Sequence, residues 1–302
     1  MRVVVTGGAG FIGSHVCDHL LAAGDDVVVV DDLSTGSRDN VPAAADLEVI
    51  DIFDAASVFR VVRAAGPSLI CHLAAQASVT VSVRDPQRDL DVNVQGTFNV
   101  LQAAQEVGAR VVFASTGGAM YGDGVPIPTP EDGVTPRPLA PYGASKLAAE
   151  AYVATWGRFH RIAHVIFRLG NVYGPRQSPH GEAGVVAIFS DRLLAGERPV
   201  VYGTGEQTRD YIHVADVAAA FLVARDRGEG TYNVGWAKER TVLDVLAVLQ
   251  RAAGTRIEPR FESLRSGELL RSCLDSSRLR GLGWSPALEF EAGLAATLES
   301  LR

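Results

Sequence analysis

The chain has 302 residues, 47% of them apolar and 21% charged, with a net charge of −7. That length allows one large domain or two smaller ones around a sizeable core, and the composition is that of a soluble globular enzyme. The acidic balance excludes an electrostatic case for nucleic acid or an anionic membrane as partner, so an anionic ligand would have to be held by local positive groups and helix N-termini. No apolar run approaches membrane-spanning length, and the first strand follows no charged-then-apolar leader, which predicts a protein that is not exported. Cys17, Cys71 and Cys273 are far apart and lack metal-ligand spacing. Cys17 and Cys71 fall in predicted helix and strand and are expected to be buried, inert thiols in a reducing, cytoplasmic compartment.

The first predicted strand, residues 3–6, runs into Gly7-Gly8-Ala9-Gly10-Phe11-Ile12-Gly13 and then an amphipathic stretch through Leu20 and Leu21. The order is strand, glycine turn, helix. Gly7 and Gly10 let the backbone approach a pyrophosphate, and Gly13 lets the helix pack closely on the strand. The helix N-terminus then offers free N–H groups to phosphates. A second strand, 27–31, ends in Asp31, whose carboxylate can accept the 2′-hydroxyl of an adenosine ribose and would repel a 2′-phosphate. Asp32 adds a second repulsive charge; Arg38 is the only nearby residue arguing the other way. The pattern predicts dinucleotide binding, with NAD favoured over NADP.

Further strands at 47–51, 69–73, 111–115 and 164–168 alternate with helical patterns. Such alternation predicts an α/β fold, a Rossmann-type doubly wound parallel sheet with right-handed crossovers. One long helix is expected to start with Asp85 as N-cap and Pro86 in its first turn, running past Asn93 and Gly96 to about Val107. Residues 117–141 are proline-rich and lack apolar periodicity, so they are expected to form a long surface loop of the kind that is often functional. After Arg168 the pattern loosens into short strands and helices, among them one over 242–253 and one over 213–224 that returns to the sheet. The expected organisation is an NAD-binding domain over 1–168 with a return segment at about 210–236. A smaller, discontinuous α+β substrate domain over 169–209 and 237–302 would cap the C-terminal edge of the sheet, where ligands bind in such folds.

Pro141-Tyr142-Gly143-Ala144-Ser145-Lys146 opens the next helix and places Tyr142 and Lys146 one turn apart on a single face. A phenol is a poor base at neutral pH. The neighbouring ammonium and the positive nicotinamide ring are expected to stabilise the phenolate and lower its pKa. Hydroxyls at the end of strand five face the crevice, so Ser115 or Thr116 could share a substrate proton with Tyr142, with Thr116 preferred. Turn formation before Gly117 and Gly118 is the alternative reading without function, and the functional role of Thr116 is favoured over it. His72 is expected to be structural, and His180 with Glu182 is too small a set for a metal, so none is assigned. Asp39, Asp85 and Asp89 are expected to be solvated or capping charges.

Residues 7–13, Asp31, His72-Leu73-Ala74-Ala75-Gln76, Asn93-Val94-Gln95-Gly96-Thr97 and the Tyr142/Lys146 pair together resemble the extended short-chain dehydrogenase/reductase superfamily. Phe167-Arg168-Leu169-Gly170-Asn171-Val172-Tyr173-Gly174-Pro175-Arg176 and Thr208-Arg209-Asp210-Tyr211-Ile212-His213-Val214 narrow the resemblance to the UDP-glucose 4-epimerase group of bacterial type, over nearly the whole chain. The resemblance implies NAD contacts by Phe11, Ile12, Asp31, Asp32, Asp51, Ile52, Leu73, Ala74, Ala75, Gln76 and Asn93, with Tyr142 and Lys146 also at the cofactor. It assigns catalysis to Thr116, Tyr142 and Lys146. Asn171 and Arg209 match positions that hold a nucleotide diphosphate, Val185 and Val186 join them at the substrate, and Val201 and Tyr202 flank the uracil. Arg265 and Glu268 stand where the family has an Arg-Pro-Gly-Asp run; here it reads Arg265-Ser266-Gly267-Glu268.

Related dehydratases carry Thr-Asp-Glu after strand five, and related decarboxylases a Glu; this chain has Thr116-Gly117-Gly118-Ala119, with no carboxylate. A 4-epimerase needs only proton exchange at one hydroxyl and a hydride acceptor. The resemblance therefore implies NAD-dependent C4 epimerisation of UDP-glucose and UDP-galactose by a homodimer paired through the helices that begin near Asp85 and Tyr142. UDP-glucuronate is the runner-up substrate and a UDP-N-acetylhexosamine the third. Ser272 falls where relatives restricted to unmodified hexoses carry a tyrosine, and Arg271 is either a partner for a C6 carboxylate or a solvated arginine. A catalytically idle nucleotide sensor on the same fold is the alternative from another class, and the intact Tyr142/Lys146 pair argues against it.

Overall fold

The structure is a computed structural model describing residues 1–180, 184–264 and 269–302. Glu182, Arg265 and Glu268 lie outside the described residues. Val3, Val4 and Val5 are all fully buried, Val3 and Val5 in the core on one side of the strand and Val4 in the core on the other. A strand covered on both faces carries a continuous apolar run, as strands of parallel sheets do. Strands β1 (Arg2–Thr6), β2 (Asp26–Asp31), β3 (Asp46–Val49), β4 (Leu69–His72), β5 (Arg110–Thr116) and β6 (Val165–Leu169) join Gly230–Val234 in one sheet. Its order is Gly230–Val234, β6, β5, β4, β1, β2, β3, and every pairing is parallel. Strand order reverses beside β1, which opens a crevice at the C-terminal strand ends.

Helix α1 (Phe11–Ala22) and the helix Val214–Ala224 cover one face through Val16, Leu20, Val217 and Phe221. On the other lie α2 (Ala55–Ala65), and, further along, α5 (Thr97–Val107) and α6 (Pro141–His160), through Val58, Val62, Leu101 and Val153. Between them the chain forms α3 (Val79–Arg84) and α4 (Pro86–Leu90). Asp85 caps α4 as expected, its Oδ1 accepting the Arg88 N–H at 3.1 Å. A wide π turn, Asp91–Gly96, then joins α4 to α5; such turns often accompany functional sites. The third strand stops at Val49, short of residue 51, because Asp51 turns the chain by accepting the Phe53 N–H at 2.8 Å.

The rest of the chain builds a three-stranded sheet from Asn171–Tyr173, Thr208–His213 and Glu239–Thr241, and a pair from Val200–Tyr202 and Arg260–Glu262. Helices Val185–Leu194, Val242–Ala253 and Phe290–Glu299 enclose a separate core around Phe189, Leu249 and Leu294. Val242–Ala253 starts where Thr241 and Asp244 form a capping box, and His213 caps the returning helix by accepting the Ala215 N–H.

Residues 117–141 form the long irregular loop expected, exposed at Asp123, Pro126, Asp132 and Leu139, but it is anchored inward at a few points. Met120, Tyr121 and Thr129 are buried, and Tyr121 bonds Asn233 at 3.0 Å and Arg168 at 2.9 Å. Arg168 in turn pairs with buried Glu150 at 2.7 Å. Side chains remote in sequence satisfy this segment, so it can pass inward without regular structure.

Candidate active site

Gly7, at φ +73°, turns the chain so closely over the end of β4 that a Cβ there would lie 2.6 Å from the Ala74 nitrogen. A Cβ on Gly13 would lie 2.0 Å from the Gly7 carbonyl oxygen. Only glycine permits either approach. A Cβ on Gly10, by contrast, would meet only the Gly7 oxygen, at 3.2 Å, so space lies over the N-terminus of α1, which has no side-chain cap. That cradle, with free N–H groups at its base, fits a pyrophosphate. Asp31 is buried at its lip, Oδ2 accepting the Ala9 N–H at 3.0 Å and Oδ1 the Leu33 N–H at 2.9 Å. Burial, with the Asp32 charge adding to it, raises the Asp31 pKa. Asp32 and Asp51 are exposed beside it. Ile52 packs its side chain on Gly96 in the core, so only its main chain could meet a ligand. The residues present thus fit NAD.

At the ends of β1 and β4, His72 is fully buried between Thr6 (2.7 Å) and Thr97 (3.0 Å). Thr97 donates its own hydrogen to the Asn93 carbonyl at 2.7 Å, so its oxygen accepts from His72 Nε2–H, and Nδ1 accepts from Thr6. Burial pushes the imidazole down to about 3, which keeps it neutral and structural, as expected. Leu73 and Ala74 donate their N–H groups to Thr6. Past Ala75, Gln76 donates its N–H to Asn93 Oδ1 at 2.9 Å, and Asn93 Nδ2 reaches the Gln76 carbonyl at 2.9 Å and Ser145 Oγ at 3.0 Å. Asp89 belongs to the same cluster. It is buried, not solvated or capping, because the π turn brings it and Asn93 together beneath Gln76. Asp39 and Asp85 are exposed as expected.

Tyr142 and Lys146 open α6, behind Pro141 at its first position. The half-buried Tyr142 phenol faces the Thr116 hydroxyl at the end of β5. Ser115 Oγ is buried without a partner. Lys146 is buried, its Nζ donating to the Ala114 carbonyl at 3.0 Å and lying over the Phe113 ring. The expected depression of the phenol pKa is not found in the polypeptide itself. Burial and then Asp89 push Tyr142 up to about 12, against the Thr116 hydroxyl. Lys146 is anchored on a carbonyl, and burial pulls it down to about 8 against Asp89 and Glu150.

On the other wall, Asn171, Val185 and Val186 line one small cavity of 20 Å³ with Tyr211, and Gly118 faces Asn171 Oδ1. Val201 is wholly buried in the third core, so its side chain is turned from any ligand; Tyr202 is half-buried. Arg209 donates to the Thr208 carbonyl at 2.9 Å. Beside it, Asp210 accepts the N–H groups of Trp236, Ala237 and Leu274, and burial pushes its carboxyl up to about 6. Ser272 donates its N–H to the Thr208 carbonyl at 3.2 Å, and Arg271 is engaged by Glu239. Sequence patterns missed Asp89 and Asp210. The spacing of Asp89 one turn before Asn93 was the available signal for the first.

Residues 3–235 match the NAD dependent epimerase/dehydratase family. The chain belongs to that family. Within it, a UDP-glucose 4-epimerase from Mycolicibacterium smegmatis is 43% identical over 310 residues, covering 100% of this chain and 99% of that one. The solved UDP-glucose 4-epimerase with UDP-glucose from Thermotoga maritima superposes with a TM-score of 0.98 at 42% identity, covering 100% and 99%. The Thermus thermophilus enzyme in complex with NAD gives 0.94 at 45% identity with the same coverage. No helix among the described residues is long and apolar enough to cross a membrane.

Proposed function

We propose that this chain is an NAD-dependent UDP-hexose 4-epimerase that interconverts UDP-glucose and UDP-galactose. The observation that carries the reading is that Tyr142 stands against Thr116 beside a segment, Gly117 to Ala119, that lacks any carboxylate. The pair can exchange a proton with one sugar hydroxyl, and no acid stands there to expel water. Gly7, Gly10, Phe11, Ile12 and Gly13 hold the pyrophosphate of NAD, and Asp31 its adenosine ribose. Bound NAD supplies the hydride acceptor and donor at C4, so the net reaction is redox-neutral. Tyr142, as phenolate, takes the C4-hydroxyl proton through Thr116 and later returns it. The N-terminus of α6 and, with NAD bound, the positive nicotinamide ring would lower the phenol from about 12 toward a working value. Asn171, Arg209 and Arg265 clamp the diphosphate while the 4-keto sugar turns, and Tyr202 and Glu268 contact the uridine. Cores one and two form the cofactor unit, and core three the substrate unit.

The finer readings are a homodimer in the cytoplasm and tolerance of larger sugars. Tyr152 and Phe159 are 46% and 79% exposed on α6, and Phe98 packs against both Tyr152 and Trp156 in one aromatic patch. A second copy about a two-fold axis would cover it. All three cysteines are buried free thiols, which suits a reducing compartment. The small Ser272 favours UDP-N-acetylglucosamine or UDP-glucuronate as additional substrates. The test is incubation with each UDP-sugar and product identification by NMR, with light scattering for the mass. Bound NAD without isomerisation of any UDP-hexose would return the idle sensor.

A further inference from the structure

Asp89 takes no part in the proton transfer, yet its side chain lies at the edge of the site and is 1% exposed. It projects from α4, and one oxygen, Oδ1, accepts from Gln76 Nε2 at 2.8 Å and from Asn93 Nδ2 at 3.1 Å. Its partners are two neutral amides. From Asn93 the hydrogen bonds continue to Ser145 Oγ at 3.0 Å, and from Ser145 Oγ to the Tyr142 carbonyl at 3.0 Å. A buried carboxylate held by amides costs solvation energy that a neutral residue would not, so its presence calls for a role.

We propose, on the epimerase reading above, that Asp89 is a positioning residue for the proton-transfer centre. Its carboxylate locks the Asn93 and Gln76 amides onto the Tyr142 end of α6 and places a negative charge, hydrogen-bonded to neutral amides, beside the Tyr142–Lys146 pair.

That charge acts on both members in one direction, making the phenol harder to ionise and the ammonium easier to keep. No other group facing the pair acts on both members in that direction; Glu150 acts on Lys146 alone. Thr116 on β5 is a neutral hydroxyl. Glu150 on α6 is tied to Arg168 at 2.7 Å, and the His72 ring on β4 is neutral.

The test is the pH dependence of kcat for UDP-glucose and UDP-galactose interconversion by NAD-saturated Asp89→Asn protein. With the charge removed, the phenol ionises at lower pH and the lysine loses its proton at lower pH. Both limbs of the profile are expected to move down, by about one pH unit. Limbs that superimpose on wild type, whatever the rate, overturn the proposal, because a purely structural carboxylate changes rate and stability without moving both limbs. Should Asp89→Asn not fold, Asp89→Ser removes the same charge with a smaller side chain; both limbs should again move down, and unmoved limbs reject the role. A wild-type protein that interconverts no UDP-hexose sinks the epimerase reading and this proposal together; wild-type turnover with unmoved limbs rejects Asp89 alone.

Discussion

The Lys146 ammonium donates to the carbonyl oxygen of Ala114 at 3.0 Å, tying the second turn of α6 to the C-terminal end of β5. Two residues further along β5, Thr116 faces the phenol of Tyr142, one helical turn before Lys146 in α6. The strand and helix are thus pinned at two points on either side of the proposed reacting hydroxyl, which fixes the separation of Thr116 and Tyr142 without help from the substrate.

Tyr142→Phe removes the phenolic oxygen and little else. Turnover of UDP-glucose should fall by about 10²–10⁴-fold, with NAD content and UDP affinity nearly unchanged. Retention of more than about a tenth of the wild-type rate would place the base on another residue.

Lys146, pulled down to about 8 by burial, sets an alkaline limb. The charged form prevails below that value and is lost as pH rises through it, so the rate should decline there. Lys146→Arg keeps its charge throughout this range, and whatever its absolute rate, its profile should lack the decline. A limb that persists in the arginine variant belongs to a different group.

Asp31 is fixed by the Ala9 and Leu33 N–H groups at the lip of the glycine turn, where a 2′-phosphate would be driven against its carboxylate. Mass spectrometry of cofactor extracted from the purified protein should find NAD. Asp31→Asn is expected to weaken NAD retention and to narrow the preference over NADP. Finding mainly NADP in the wild-type extract would reject this role.

Ser272 is half-buried and bonded through its N–H to Thr208, next to Arg209. Ser272→Tyr should suppress epimerisation of UDP-N-acetylglucosamine more than that of UDP-glucose, since the added ring occupies room that the N-acetyl group needs. Equal losses on both sugars would show that this position does not gate the pocket. Arg271, held by Glu239, is less free to meet a C6 carboxylate than a solvated arginine.

Much of the site was legible because its chemistry is written at short range. The distance from Tyr142 to Lys146 is one helical turn wherever that helix lies, and Pro141 sets its start. The Asp85 cap and the Thr241/Asp244 box also depend only on neighbours. Asp89 was misjudged because nothing local distinguishes a carboxylate facing water from one facing Gln76 and Asn93. The loop over 117–141 was legible, but its anchoring through Tyr121 was not, because the partners, Arg168 and Asn233, are remote in the chain.

The sequence by itself determined the parallel sheet, the glycine turn with Asp31 at its lip, the helix carrying Tyr142 and Lys146, and the absence of a carboxylate after Thr116. Each follows from residue type and spacing, since backbone sterics, helical period and strand burial act over a few positions. Tertiary structure alone decided that Asp89 and Asp210 are buried, that Val201 turns inward, and that the phenol of Tyr142 stands near 12 in the polypeptide itself. The energy of a charge depends on how much water and which dipoles surround it, and those surroundings are assembled from segments that meet only when the chain has folded.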